Sequence, residues 1–305
     1  MEKHRKKLIK NAAVFDGHSS GLVQGKKIVI EDDIVTEITA DEVSEENFDE
    51  VFDGTGMVAM PGMTDAHVHM GCLFAKGEFP VDYATVLTVA KCKDALMAGF
   101  TTFRDAGSVS EGLKLAFDEG VLPGPRIYPC GAYISQTCGH RDSEYAHTYR
   151  DIQYRHPSST VLADGVPEII RAVREQFYRG ASHIKLMATE ILNRHEDIRL
   201  LFGTDMMITG PDYQVEQSED IRYYEKRFGT MRALRALTGT ANEVFALTTY
   251  QNPYPKGKIG VLEAGSYADL LLVDGDPTKS VSVLADTDHL RLIMKGGTVY
   301  KNTLC

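Results

Sequence analysis

Two histidines one residue apart, His67 and His69, carry the clearest chemical signal in the chain. They stand in Pro61-Gly-Met-Thr-Asp-Ala-His67-Val-His69, an apolar stretch opened by a Pro-Gly turn. On a β-strand, side chains two apart share a face. At the C-terminal end of a strand in a parallel barrel, that face opens into the mouth where active sites lie. Imidazole is a common ligand for zinc and similar ions, so the pair reads as two ligands of one metal. The bland alternative is a pair of half-buried histidines without a metal.

Two further residues have the right chemistry. Lys185 lies inside the apolar segment His183-Ile-Lys185-Leu-Met-Ala-Thr. A lysine there is costly unless it is paired or chemically altered. Otherwise it is an edge lysine whose stem covers apolar surface while its ammonium reaches water. Asp205 follows Ile198-Arg-Leu-Leu-Phe-Gly-Thr. A carboxylate just past an apolar strand would sit at the same mouth, and the ordinary alternative is a helix N-cap.

The elements that must position these residues alternate. The pattern predicts a strand over Ala59 to His69 and a helix over Tyr83 to Met97, stopped at Gly99. A strand over Thr101 to Asp105, a helix over Ser110 to Glu119 and a strand over Arg126 to Gly131 follow. After a long polar loop, a helix starts near Asp164 as N-cap, with Pro167 in its first turn, and ends at Gly180. His183 to Ala188 and Arg199 to Gly203 are the next strands. Strands alternating with helices imply a parallel sheet with helices outside. The first sixty and last fifty residues instead read as short strands, among them Lys27 to Glu31, Met57 to Met60, Ala268 to Asp274, Leu290 to Lys295 and Thr298 to Lys301. Chain ends often lie close together, so the two sets could form one small sandwich.

These motifs together resemble the amidohydrolase superfamily. Pro61-Gly-Met-Thr-Asp-Ala-His-Val-His69 is similar to its first barrel strand, and Ala98-Gly-Phe-Thr-Thr-Phe-Arg-Asp105 to its second. Gly260-Val-Leu-Glu-Ala-Gly-Ser-Tyr-Ala-Asp-Leu-Leu-Leu-Val-Asp274 resembles the return into its small β-sandwich. Ser135-Gln-Thr-Cys-Gly-His140-Arg-Asp resembles a loop of the imidazolonepropionase-like and Xaa-Pro dipeptidase (prolidase) branch. The resemblance implies a (β/α)-barrel with a sandwich built from residues 1–60 and 255–305. It implies one or two zinc or similar divalent ions held by His67, His69, Lys185 and Asp205, with Lys185 carboxylated and bridging. Asp205 would also be catalytic, shuttling a proton from the bridging water to the leaving nitrogen. His140 would lie near substrate, although Cys138 stands where the family usually has glycine, and a mobile surface histidine is the other reading.

Some of the family pattern is missing. Two further histidine ligands normally come from strands between the lysine strand and the Gly-Thr-Asp strand. Here only Thr189 to Arg199 separates those strands, and its one histidine is His195 in a charged, helix-like setting. The implied domain, 61–254, holds about 190 residues and about five βα units, against about 250 for a closed eight-stranded barrel. An internal deletion, leaving an incomplete barrel, is the simplest account. His183, Glu190 or His195 could supply substitute ligands.

Composition adds exclusions. The net charge of -10 argues against a nucleic-acid partner. No apolar run reaches the roughly 20 residues of a membrane span, and the basic N-terminal cluster at His4 to Lys7 opens no signal peptide. Five cysteines with no C-x-x-C pair argue against a disulfide scaffold or a Cys-ligated zinc site, and favour a reducing, cytoplasmic setting. The expected activity is metal-dependent hydrolysis of a C–N bond in a dipeptide or another small amide, with homo-oligomerisation open. The rival is a truncated, inactive homologue that serves as a binding or assembly partner, or has no function.

Overall fold

The computed structural model describes residues 5–70, 81–107, 109, 111–137, 139, 160–186, 199–207 and 213–304. The first sixty residues give β1 (Lys6–Lys10), β2 (Ala13–Val14), β3 (Lys27–Glu31), β4 (Ile34–Thr39), β5 (Glu50–Asp53) and β6 (Val58–Pro61). β3 buries Ile28 and Ile30 and leaves Lys27, Val29 and Glu31 partly exposed, the period of a strand with one dry face. Pairing gives a sheet of order β4-β3-β1-β5.

At Gly62 the chain passes from this region into the next. A Cβ there would lie 2.2 Å from Thr101 Oγ1, so only glycine permits the approach. β7 (Met63–His69), α1 (Val81–Met97), β8 (Phe100–Asp105), α2 (Glu111–Asp118) and β9 (Arg126–Tyr128) then alternate. β7, β8 and β9 are parallel neighbours, which is the arrangement helical crossovers produce. β10 (Tyr133–Ser135) pairs in parallel with β11 (Thr160–Leu162), and Ile134 also bridges Leu186 in parallel. α3 (Val166–Tyr178) packs against β10. β12 (Met206–Met207) lies on the other side of β7, pairing with Val68 and His69, so the sheet order is β12-β7-β8-β9. α4 (Tyr213–Phe228), α5 (Thr230–Leu237) and α6 (Gly239–Phe245) follow.

The chain returns to the first region through β13 (Leu270–Val273), β14 (Leu290–Lys295) and β15 (Thr298–Asn302), in a sheet of order β15-β14-β13-β6-β2. Leu270 and Leu272 join a core with Ile9, Ile28, Ile30 and Val35, whereas Leu271 and Val273 join one with Met63, Phe100 and Phe202. A short unbroken apolar run is what a strand covered on both faces needs. Each such side chain contributes about 1.5–3 kcal/mol relative to exposure. β13 therefore serves two cores, one shared between the two end sheets and one shared with the parallel sheet.

Several boundaries differ from the sequence expectation. Ala59 to His69 is two strands in two sheets, not one, because Gly62 turns the chain between them. Asp164 is not the N-cap of α3; Gly165 holds that place, and Asp164 accepts hydrogen bonds from Thr137 N and Thr137 Oγ1 instead. Arg199 to Gly203 is not a regular strand, although Phe202 O accepts from Ala66 N at 2.8 Å. Regular pairing with β7 starts only at Met206, after Asp205 adopts a left-handed φ of 55° that breaks the pleat. His183 to Ala188 is described only as far as Leu186, and there as an isolated bridge.

Candidate metal centre

His67 and His69, two residues apart on β7, share a strand face. Val68 enters the core against the helices. The two histidine rings stand 5.4 Å apart, centroid to centroid. Asp205 is delivered to them by the strand alongside: its backbone N donates to His67 O at 2.7 Å. Its Oδ1 then lies 2.9 Å from His67 Nε2 and 3.0 Å from His69 Nε2. Lys185 comes from the segment beside β10, and its Nζ stands 3.1 Å from His67 Nε2. Four residues spread from position 67 to position 205 of the sequence thus meet at one end of the parallel strands.

A polar floor supports them. Asp65, fully buried, accepts from His67 N at 3.2 Å, Thr204 Oγ1 at 2.9 Å and Gln217 Nε2 at 3.2 Å. It links the histidine strand, the Gly-Thr-Asp turn and α4 in one network. Gly203 is required by the same turn, because a Cβ there would meet His67 Cβ at 2.7 Å. Asp105, at the end of β8, accepts from Met70 N, Gly107 N and Val109 N, which ties the strand ends beside the site. Tyr133 from β10 places its hydroxyl 3.0 Å from His69 Nδ1.

The electrostatics follow from burial. It pushes the Asp65 carboxyl up to about 6 and the Asp105 carboxyl up to about 7, against their hydrogen bonds. His67 is held down at about 4, first by burial and then by the Lys185 cation. His183 is lowered to about 3, mainly by burial; its Nδ1 lies 3.0 Å from Ser182 Oγ and its Nε2 is buried without a hydrogen-bond partner among the described residues. His67 and His183 are therefore neutral at physiological pH, the form in which imidazole ligates metals.

The donor set fits a divalent metal. Donor atoms of His67, His69 and Asp205 all lie within 4.8 Å of one another. Two donors each about 2.1 Å from a tetrahedral zinc stand roughly 3.4 Å apart, so small side-chain shifts would seat an ion. Two imidazoles and one carboxylate are also the number of protein ligands a catalytic zinc takes, leaving one position open. Lys185 fits only if its charge changes. An ammonium beside His67 repels a cation, whereas a carboxylated lysine is an anion with two donor oxygens.

The fates of the expected residues differ. His67, His69, Lys185 and Asp205 are brought together. Asp205 is no N-cap, since the next described helix begins at Tyr213. His140, Glu190 and His195 lie outside the described residues. Asp65 and Tyr133 were missed by sequence reasoning, whereas Gly203 reads from the sequence as a turn and packing device, as found. Asp65 stands inside the motif that carries both histidines, but its partners Thr204 and Gln217 lie 139 and 152 residues away. Tyr133 left no such signal, because its partner is 64 residues away.

A parallel sheet with helical crossovers, carrying histidines, a carboxylate and a lysine at one end, is a (β/α)-type architecture with a candidate metal site. Residues 58–198 match the model of the amidohydrolase family, and the fold is shared with a solved amidohydrolase structure. Ochratoxinase from Aspergillus niger is 34% identical over 152 residues, covering 43% of this chain and 31% of the relative. The chain therefore matches about a third of the length of that curated relative. Among solved structures, an amidohydrolase superposes with a TM-score of 0.84 at 23% identity, over 98% of this chain and 100% of the other. A prolidase complexed with N-methylphosphonate-L-proline gives a TM-score of 0.82 at 22% identity, over 97% and 100%. These structural likenesses establish the fold.

Proposed function

We propose that this chain is a metal-dependent amidohydrolase that cleaves a C–N bond in a dipeptide or other small amide, with Xaa-Pro dipeptides as the first class to test. The observation that carries the reading is the convergence of His67 Nε2 and His69 Nε2 on one oxygen of Asp205. His67, His69 and Asp205 would hold the metal, zinc being the first candidate, and a carboxylated Lys185 would join them. The bound metal supplies a water acidic enough to ionise near neutral pH and polarises the scissile carbonyl. Asp205 is suited to move the proton. Its side chain is 72% exposed, so its carboxylate can take a proton at Oδ from the attacking water and pass it to the leaving nitrogen. The two histidines hold position while it does so. His140 is proposed to contact substrate.

The same reading takes residues 1–60 and 255–305 as a small β-sandwich domain, and 61–254 as a barrel shortened to about five βα units. It places the protein in the cytoplasm, acting on a small substrate, with self-association open. No helix among the described residues is long and apolar enough to cross a membrane.

The experiment is metal analysis of protein made with zinc supplied, followed by hydrolysis of a panel of Xaa-Pro dipeptides. About one or more zinc per chain is expected, with turnover abolished in His67→Ala and Asp205→Asn. Zinc-free protein would end the proposal. A second reading has its own support: only Thr189 to Arg199 separates the Lys185 and Asp205 segments. On that reading the chain is an inactive truncated homologue, kept as a binding partner or without function. Zinc bound without any turnover, unaltered by His67→Ala, would favour it.

A further inference from the structure

Tyr133 is wholly buried, and its hydroxyl faces the ring nitrogen of His69 that points away from the site. That nitrogen decides what the other one can do. His69 Nε2 lies 3.0 Å from Asp205 Oδ1, and a carboxylate only accepts, so in this arrangement Nε2 carries the proton and Nδ1 is bare. Tyr133 then donates its O–H to Nδ1. A metal on Nε2 requires the opposite tautomer, with the proton on Nδ1. A phenol can serve both, because its oxygen also accepts.

A second residue exists for this contact. Gly107, just past β8, has φ 154°, and a Cβ on it would lie 2.0 Å from Tyr133 Cε1 and 2.2 Å from Cζ. Those are atoms of a ring already fixed in a buried position, so the clash has no flexible end to relieve it. The ring itself is packed near His69, with centroids 5.8 Å apart.

We propose that Tyr133 is a positioning residue for the metal centre: it holds the His69 ring and accepts a hydrogen bond from Nδ1–H when Nε2 binds metal, and Gly107 is the glycine that lets it reach. The inference rests on the proposed metal-dependent reading. Metal-ligating histidines gain orientation and basicity from such an outer partner, and its loss typically weakens metal binding about 10–100-fold. On binding, the Nε2 proton is released to solvent and Nδ1 takes one up from solvent, so the ring keeps one proton and stays neutral.

The test is zinc binding by competition with a chromophoric chelator, on the full chain. Tyr133→Phe keeps the ring and removes only the hydroxyl. It should raise the zinc Kd about 10–100-fold. Gly107→Ala should raise it as well, by displacing the ring. A purely structural tyrosine would change thermal unfolding of metal-free protein and leave the zinc Kd alone. Because a variant can fail to fold, nitrogen-15 NMR of zinc-loaded wild type gives an independent readout: His69 should show a protonated, slowly exchanging Nδ1. A Tyr133→Phe Kd within threefold of wild type, or a bare Nδ1 in zinc-loaded protein, overturns the inference and leaves the function intact. Wild-type protein that binds no zinc overturns both.

Discussion

Two aspartates, Asp205 and Asp269, show how differently the two ends of this molecule use charge. Asp269 sits in the Ala-Asp-Leu motif just before β13, with a side chain 3% exposed. Both oxygens are committed: Oδ2 accepts from Arg126 Nε at 2.7 Å, and Oδ1 from Arg126 Nη2 at 3.2 Å and Gly296 N at 2.6 Å. Its partners come from β9 and from the β14–β15 turn, so it fastens the parallel sheet to the end sheets. Arg126 is held fully charged, since the Asp269 carboxylate outweighs the cost of its burial. Asp205 is 72% exposed, on a left-handed backbone, with one oxygen facing two histidines. The first arrangement is complete as it stands. The second gathers donor atoms of three residues within 4.8 Å of one another, where they could hold a cation.

The sharpest way to break this comparison is at Asp269. Asp269→Ala leaves the Arg126 guanidinium and Gly296 N without their acceptor in a dry setting. Removing one partner of a buried pair costs about 3–5 kcal/mol. Urea denaturation of metal-free protein should show a loss of that size. A change below about 1 kcal/mol would mean that the pair is not what joins the two regions.

The same contrast explains what could be read in advance. The His67–His69 pair was legible because strand period alone puts both on one face. The short strands of the chain ends were legible from apolar runs between glycines, and β3 and β14 were placed to the residue. The role of Asp269 was not, although its motif stood out, because the motif does not name Arg126, 143 residues away. Lys185 and Asp205 were assigned through family resemblance; only packing could show that their segments reach β7. Asp164 was misread because N-cap chemistry is local, and Thr137 outcompetes the helix for that carboxylate from another element.

Gly203 tests whether the site depends on close approach, as the junction depends on paired charge. Gly203→Ala puts a methyl 2.7 Å from His67 Cβ and 3.2 Å from His67 N. Overpacking of this kind costs about 1–3 kcal/mol. Because the atom displaced belongs to His67, zinc affinity should fall with stability. Stability lost while zinc affinity holds would mean that the turn is merely tight and does not position the ligand.

Lys295 sharpens the junction side. Its Nζ donates to Gly124 O at 2.5 Å, yet burial holds its pKa down at about 8, below the usual lysine value of 10.5. The sign follows from proton counts. Between about pH 8 and 10.5 the unfolded chain binds more protons than the folded one, so this lysine makes stability rise with pH there, by at most about 1.4 kcal/mol per unit. Below pH 8 both states are charged and the contribution is constant. Lys295→Met should remove that rise in denaturation midpoints measured from pH 8 to 10, whatever its effect at neutral pH. Parallel curves for the two proteins would show that the ammonium is solvated after all.

The smallest effect in stability carries the most about function. Asp205→Gly relieves the left-handed φ of 55°, which glycine adopts freely, although glycine also loses more entropy on folding. The net expectation is a gain of about 0.5 kcal/mol in metal-free protein. In the same variant zinc affinity should drop by more than about 100-fold, beyond the range for outer partners, because a ligand itself is gone. Opposite signs for stability and metal binding at Asp205, set against the large loss at Asp269, would separate a residue kept for chemistry from one kept for the fold. If Asp205→Gly instead destabilises the metal-free protein by several kcal/mol, the His67–Asp205–His69 contact is holding the strands together, and the distinction between the two aspartates collapses.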